Sequence, residues 1–202
     1  MDLLYSLKTS HAVGDHSRTL KEGSVLLNGQ ELSDKEREKV MTYMWLAGAQ
    51  LGTANPLSSY QVPGQLKEAF GLLVVVKLKS KTDANFFDGQ KAMVEKAKTF
   101  LGDDSSTHVK YIAGLVLLEC KQYELAFEAV KHEDDMDCQL LIVKIFSRIG
   151  RRDAAQVRLE DLKRNNPIDD VRVEVAGAES IDLWSEVHYL FSFVTLTQKR
   201  QS

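Results

Sequence analysis

Two similar segments between residues 109 and 167 constrain the fold of this chain more than any other feature. A shift of 29 residues aligns three pairs of positions: Leu117 with Phe146, Lys121 with Gly150, and Ala126 with Ala155. In both segments the apolar residues recur every three or four positions, from Cys138 to Ile149 in the second, which is typical of an amphipathic helix with one buried face. A helical pair that recurs at a fixed interval predicts a solenoid, in which each hairpin packs against its neighbours.

Small residues and helix-ending residues fall where the helices of such hairpins would meet. Gly114 lies in mid-helix, where glycine costs about 1 kcal/mol relative to alanine, so we expect a neighbouring helix to approach it closely. Ala126 and Ala155 come early in the second helices, where a larger side chain would separate the two helices. Gly150 is expected to end a helix in the left-handed conformation. Pro167 closes the second unit, because proline cannot continue a helix interior.

This order of residues resembles the tetratricopeptide repeat family. Gly114 and Ala126 are twelve residues apart, as are Ala155 and Pro167, and Tyr123 takes the place of the aromatic in the family's turn. The interval of 29 residues is shorter than the usual repeat of about 34, which predicts a shortened second helix around residues 127–132. The resemblance implies an all-α fold, a right-handed α-solenoid of helical hairpins.

The residues before this region predict further helices. Residues 2–28 have the pattern of a hairpin, with Leu3, Leu4 and Leu7 as the first apolar stripe, Gly14 as a stop and Asp15 as an N-cap. Ser33 and Glu36 form the sequence of a capping box, which is followed by a long helix with apolar positions to Leu51. Gly48 within this helix is expected to act as Gly114 does.

The segment between residues 52 and 64 contains two of the three prolines and predicts a loop where the repeat would have a second helix. The run from Leu66 to Val76 contains three consecutive valines, which strands also favour. Its helical spacing, with Val74 among the inward positions, favours a helix. A further helix is expected over residues 86–101.

After Pro167 the repeat pattern is lost. Residues 187–197 are rich in β-branched and aromatic side chains and resemble a strand more than the polar capping helix that usually ends a solenoid. We therefore expect a solenoid over residues 1–167 and a divergent, irregular C-terminal segment over residues 168–202, poorly ordered or loosely docked.

The composition excludes several classes of function. A net charge of −3 gives no support for nucleic acid as the main partner. No secretory signal is visible, and the longest early apolar run covers seven residues, whereas a membrane span needs about 20. The sequence contains no nucleophile elbow, phosphate-binding loop or dinucleotide fingerprint. We therefore expect no enzymatic activity and no cofactor, and buried free thiols at Cys120 and Cys138.

Two charged clusters are candidate sites. Residues 132–137 are acidic but lack the glycine and distal glutamate of a calcium loop, so acidic residues at a helix start are the favoured interpretation. The basic side chains between residues 144 and 164 alternate with Asp153, Glu160 and Asp161. This pattern favours a solvated face with salt bridges over an anion site.

Two longer stretches, residues 112–126 and 137–155, resemble the central repeats of the coatomer epsilon-subunit family, and Asp2-Leu3-Leu4-Tyr5 resembles its opening segment. The resemblance covers about residues 2–168 and depends on the order of degenerate motifs. It implies a non-enzymatic adaptor of the COPI vesicle coat in the cytoplasm, peripheral to Golgi membranes. The partner it implies is the C-terminal domain of the coatomer alpha subunit. The family's later repeats do not follow Pro167, so a truncated or alternatively spliced chain with weaker binding is expected.

A generic tetratricopeptide scaffold or cochaperone that captures C-terminal peptides is the alternative. That function needs a clamp of lysine, asparagine and arginine on the first helices. Lys110 and Lys144 lie on first helices, but the accompanying asparagine is missing. The sequence does not assign the residues that contact the partner.

Overall fold

A computed structural model describes residues 3–53, 55–82, 90–165 and 172–178, and within them all regular structure is helical. The helices are α1 Tyr5–Ala12, α2 His16–Gly29, α3 Asp34–Gln50, α4 Gly64–Thr82, α5 Lys91–Lys98, α6 Thr107–Glu119, α7 Tyr123–Val130, α8 Met136–Arg148, α9 Arg152–Asn165 and α10 over 172–178. This arrangement confirms the predicted all-α fold and the helical interpretation of the valine run in α4.

The helices pack mainly on their neighbours in the chain, as a solenoid requires. The pairs α1 and α2, α6 and α7, and α8 and α9 form hairpins. One helix of each unit also contacts the corresponding helix of the next, so that α1, α3, α6 and α8 follow one another in a continuous layer. The second helix α7 is eight residues long whereas α9 has 14, which confirms the shortened second helix.

Four helix ends share one backbone geometry. Gly14, Gly52, Lys121 and Gly150 all have positive φ angles, between 57° and 79°. At each end, the amide of the following residue donates a hydrogen bond back to the carbonyl five residues earlier, for example Arg151 N to Phe146 O at 2.9 Å. This is the Schellman arrangement, which satisfies carbonyls that a helix end leaves open. The predicted stops at Gly14 and Gly150 are confirmed.

The predicted helix starts are also present. Ser33 and Glu36 form the complete capping box before α3, and Asp15 accepts a hydrogen bond from the Arg18 amide before α2. The helix α2 begins at His16. The described residues of the expected loop, 52–53 and 55–63, precede α4. The helix α5 ends at Lys98, three residues before the end predicted at residue 101, and the start predicted at residue 86 lies outside the described residues.

Some apolar residues assigned to buried stripes are exposed. Leu3, Leu51 and Ile149 are 52%, 48% and 44% exposed. Leu51 and Ile149 are C-cap residues, where the chain leaves the helix and its buried face, and Leu3 precedes α1. Leu4 and Leu7 are buried as predicted, because they lie one turn apart. Val74 is 36% exposed, whereas Leu72 and Val76 are buried in its helix.

The buried apolar residues in the described part of the chain form two clusters. The larger one extends from Leu4 to Ile145 and holds α1 to α8 together. The smaller one consists of five residues from α8, α9 and α10: Val143, Ala155, Leu159, Leu162 and Val173. Because α10 contributes to this second cluster, helical structure continues beyond Pro167, which itself lies outside the described residues, as do residues 187–197.

Candidate partner-binding cleft

A cleft of about 220 Å³ opens where the layer of first helices meets α10. Its walls are formed by α1, α3, α6 and α8, and α10 contributes Arg172, Val175 and Ala176. The lining is mixed, with Tyr43, Tyr111 and Asp137 beside aliphatic side chains. Clefts lined by corresponding helices of successive repeats are the surfaces with which solenoids bind other proteins.

A buried group of charges lies at one end of this cleft. The Lys39 ammonium in α3 is 2.7 Å from an Asp135 carboxylate oxygen and 3.2 Å from one of Asp137. All three side chains are only about one tenth exposed. Burial alone would raise the pKa of Asp135, but the neighbouring Lys39 charge and hydrogen bond outweigh it and hold that pKa below its usual value. The group therefore joins α3 to the start of α8 through charges that are largely shielded from solvent.

Asp137 also binds the side chains on either side of the cleft. The Tyr43 hydroxyl donates to both carboxylate oxygens, at 2.8 and 2.7 Å, and a guanidinium nitrogen of Arg172 lies 3.6 Å from it. Burial, together with the adjacent Asp137 charge, raises the pKa of Tyr43 well above its usual value, so the hydroxyl remains a donor. Asp137 is thus the point at which α3, α8 and α10 meet.

His11 of α1 packs against this network from the other side. Its ring centroid is 4.8 Å from that of Tyr43, and its Nδ1 is buried without a hydrogen-bond partner among the described residues. Burial lowers the pKa of His11 to about 4, partly opposed by Asp137 and reinforced by His16. The imidazole is therefore neutral at pH 7.

A second group of polar contacts fixes the segment between α7 and α8. Glu133 accepts hydrogen bonds from Thr107 and Lys110, both at 2.7 Å. The Gln139 amide donates to the Glu133 carbonyl, and the Arg158 guanidinium donates to the Gln139 amide oxygen. His108 contacts the Lys35 carbonyl at 3.1 Å. These bonds keep the start of α8, and with it Asp137, in a fixed position relative to α6.

The sequence interpretation of residues 132–137 was right about the helix start and missed the charge network. Asp135 is the N-cap of α8 and accepts from the Asp137 amide. Its partner Lys39 is 96 residues away, and no local pattern reveals such a pair. The sequence does contain one signal of such a pair: Lys39 lies one turn from Tyr43 on the apolar side of α3, where a lysine needs an acidic partner.

The residues expected to pack the repeats lie outside the cleft, at contacts between helices. A Cβ atom on Gly114 would lie 2.9 Å from a Leu141 methyl and 3.3 Å from a Val130 methyl, and Ala126 and Ala155 are fully buried. Gly48 has a different neighbour: its added Cβ would meet the Pro56 ring at 2.5 Å. Gly48 thus accommodates the loop before α4 rather than another helix.

The other expected packing residues are at the ends of elements. Tyr123 is the first residue of α7 and packs partly buried against the larger cluster. Gly150 ends α8 with φ 78°. Pro167 lies outside the described residues.

Two of the basic residues between 144 and 164 form the predicted salt bridges on an exposed face, whereas Lys144 lines the cleft and Arg158 bonds Gln139. Arg151 pairs with Asp153 at 3.2 Å and Arg164 with Asp161 at 3.7 Å, with both arginines mostly exposed. Exposed pairs of this kind contribute about 0–1 kcal/mol. Trp45 stacks on Phe70 with ring centroids 4.6 Å apart and is partly buried, consistent with a packing role.

Chemical groups with unusual reactivity are scarce in the described residues. Cys120 and Cys138 are buried free thiols as predicted, and burial raises the pKa of Cys120 to about 11 and that of Cys138 further. Across the described ranges, no group of three or more His, Cys, Asp or Glu side chains is placed to hold a metal ion.

None of the helices described is both long and apolar enough to cross a membrane.

A comparison with protein families finds one model that matches residues 1–173, and its description is coatomer epsilon subunit. The match covers all of α1 to α9 and reaches the first residues of α10. Neither the curated proteins nor the solved structures include a significant match to this chain.

Proposed function

This chain belongs to the coatomer epsilon-subunit family, and we propose that it is a non-enzymatic adaptor subunit of the COPI vesicle coat. We propose further that it binds the C-terminal domain of the coatomer alpha subunit. In this role it supports Golgi-to-ER and intra-Golgi protein transport from the cytoplasmic face of Golgi membranes, which it reaches through the coat rather than by inserting into lipid.

The observation that carries this proposal, beside the family match, is the cleft along the first helices. At about 220 Å³ it is smaller than the pockets of about 300–1,000 Å³ that enclose small ligands. Tyr111 lies partly exposed in its wall, whereas the neighbouring Tyr43 is 2% exposed and is held by the Asp137 carboxylate. Tyrosine is enriched among the residues that dominate binding energies at protein interfaces. A cleft of this composition suits a segment of another protein.

The cochaperone alternative is disfavoured by the charges of the first helices. Capture of a peptide C-terminus requires cations that face the groove. Lys110 instead forms a 2.7 Å ion pair with Glu133, and both side chains are largely buried. Lys144 does line the cleft, but the asparagine that would complete such a clamp is missing.

The division of the chain at residue 167 remains a proposal. The helix α10 lies beyond that boundary and packs on α8 and α9, and residues 179–202 lie outside the described residues. We propose that this chain binds the alpha subunit more weakly than a full-length epsilon subunit, because the family match does not extend beyond residue 173.

The test is an affinity measurement with the purified C-terminal domain of the coatomer alpha subunit. We expect the chain to bind it, and we expect Tyr111→Ala to weaken binding about tenfold, as loss of a central interface tyrosine does. The matched control is Tyr5→Ala, which removes a tyrosine that is 52% exposed and does not line the cleft. Melting temperatures of both variants would exclude loss of folding as the cause.

A full-length relative and a deletion ending at Asn166 complete the design. If the full-length relative binds and this chain does not, the partner assignment for this chain is wrong. If Tyr5→Ala weakens binding and Tyr111→Ala does not, the cleft is not the binding surface.

A further inference from the structure

The chain itself occupies one side of the cleft. Helix α10 places Arg172 3.6 Å from Asp137, and its Val175 and Ala176 side chains line the same cleft. The Arg172 and Asp137 side chains are 13% and 12% exposed, so this ion pair is shielded from solvent. An arginine followed by small apolar residues is therefore a sequence that this surface accepts.

The helix α10 is attached through a small contact that is separate from the main core. Val173, which is 2% exposed, joins the cluster of Val143, Ala155, Leu159 and Leu162, and these residues belong to the smaller of the two buried clusters. Release of α10 would expose part of that cluster and leave the larger one, which holds α1 to α8 together, unchanged.

By itself α10 has little tendency to be helical. It spans only residues 172–178, whereas isolated helices shorter than about 12–15 residues are marginal in water. Val173 and Val175 are β-branched, and Gly177 costs about 1 kcal/mol relative to alanine. The helix therefore depends on its contacts with the cleft and the smaller cluster, and a competitor for those contacts would release it.

The charges at the cleft define what such a competitor must carry. Lys39 lies between two carboxylates, Asp135 and Asp137, and Arg172 is a further cation beside Asp137. One lysine each from α1 and α8 also lines the cleft. When α10 leaves, Asp137 loses Arg172 and shares Lys39 with Asp135, so a cation that replaces Arg172 at this point is favoured. A competitor with an acidic or apolar side chain at this point would not replace the positive charge of Arg172 beside Asp137.

We propose that α10 is an internal competitor of the partner for this cleft. The partner segment inserts an arginine or lysine that pairs with Asp137, flanked by small apolar residues that take the positions of Val175 and Ala176, and α10 leaves as it binds. This inference deepens the proposed function and rests on it for the identity of the partner. The apparent affinity for the partner is then the affinity of the open cleft multiplied by the fraction of molecules in which α10 is released.

The experiment measures how tightly the C-terminal domain of the alpha subunit binds the full chain and variants that detach α10. Arg172→Glu replaces the ion pair with repulsion, and Val173→Asp places a charge in the smaller cluster. If α10 is docked in about nine molecules of ten, both variants should bind about tenfold more tightly. The matched control Arg164→Glu makes the same charge change on an exposed side chain of α9 and should leave the affinity unchanged.

Hydrogen exchange of residues 172–178 gives the second readout. We expect these amides to be protected in the free chain, and to exchange rapidly in both variants and in the complex of the unaltered chain. Rapid exchange in the variants without any gain in affinity would overturn the proposal, and so would protection that persists in the complex.

A separate arm distinguishes failure of this inference from failure of the partner assignment. If the alpha-subunit domain binds none of the chains, the probe becomes a synthetic peptide of residues 170–180, added at millimolar concentration to the full-chain Arg172→Glu variant. Chemical shift changes at cleft residues with this peptide, absent when the peptide itself carries Arg172→Glu, would support the cleft's requirement for a cation. No response to the unaltered peptide would overturn it.

Discussion

Lys121 and Gly150 occupy equivalent positions, 29 residues apart, in the turns that end α6 and α8. Both have left-handed backbone angles, with φ of 57° and 78°. In each turn the next amide bonds the carbonyl five residues earlier, Gln122 N to Leu117 O at 2.8 Å and Arg151 N to Phe146 O at 2.9 Å. Two hairpins of different second-helix length thus share one turn geometry, and only the second has the glycine that suits it.

We predict that Lys121→Gly stabilises the protein by about 0.5–1 kcal/mol. The left-handed conformation costs a residue with a Cβ atom about 1–2 kcal/mol, from which the greater freedom of glycine in the unfolded chain must be subtracted. Urea unfolding would measure the change. Lys121→Ala is the control, because it removes the side chain and keeps the Cβ atom, and an equal gain with alanine would contradict the explanation. Gly150→Ala should destabilise by about 1 kcal/mol for the same reason.

A comparison of two mid-helix glycines tests the close packing at Gly114. We predict that Gly114→Ala lowers the free energy of unfolding by about 1 kcal/mol, because the added methyl meets buried Leu141 and Val130. Gly71 of α4 has no atom within 4 Å of the corresponding Cβ position. Gly71→Ala should therefore stabilise the protein by up to about 1 kcal/mol. Stabilisation by both substitutions would show that Gly114 is not needed for packing.

The helical layout could be predicted from the sequence because its signals are local. The apolar spacing within each helix, the capping box at Ser33 and the stop at Gly150 each involve residues that are close in the chain. The 29-residue interval then follows from a comparison of two such segments. The cleft depends on contacts between distant segments, such as Lys39 with Asp135, which no spacing rule identifies. The difference between Gly48 and Gly114 was equally hidden, because a glycine in a helix does not reveal whether a proline ring or another helix approaches it.

The charge group at α3 and α8 predicts a large effect of one lysine. Lys39→Met leaves the Asp135 and Asp137 carboxylates without their main counterion, which should cost about 3 kcal/mol. In the variant Lys39→Met/Asp135→Asn the loss should be clearly smaller, since one of the two charges is removed too. Lys35→Met, a change at an exposed lysine on the same helix, should stay within about 0.5 kcal/mol.

The ion pair between Lys39 and Asp135 also predicts how the free energy of unfolding changes at acid pH. Because the pKa of Asp135 is lowered in the folded protein, its stabilisation is fully present above the ordinary aspartate value of about 4 and is lost as the pH falls below it. Unfolding measured at pH 5 and pH 3 should show this loss in the unaltered protein and a smaller one in Lys39→Met. An equal loss in both would mean that the ion pair is not its source.

His11 predicts a second pH dependence at higher pH. Its pKa is lowered from 6.5 to about 4, mainly by burial, with Asp137 opposing and His16 adding to the shift. The unfolded chain therefore binds more protons between these values, and stability falls as the pH decreases, by about 2 kcal/mol between pH 7 and pH 5.

Substitution separates the contribution of His11 from that of the other histidines. His11→Phe keeps a ring against Tyr43, so we expect it to remove most of that slope in urea unfolding at pH 7 and pH 5. Some slope should remain from His108, whose pKa burial also lowers. His132→Asn, at an exposed position, should retain the full slope. Identical slopes for His11→Phe and the unaltered protein would refute the role of His11.

Site-specific photocrosslinking tests the central claim most directly. A photoreactive phenylalanine analogue would replace Tyr111, in the wall of the cleft, or Tyr5, an exposed tyrosine outside it, in the full chain mixed with the C-terminal domain of the coatomer alpha subunit. We predict a crosslink to that domain from position 111 and none from position 5. A crosslink from position 5 alone, or none from either position when a full-length epsilon subunit binds the same domain, would contradict the account.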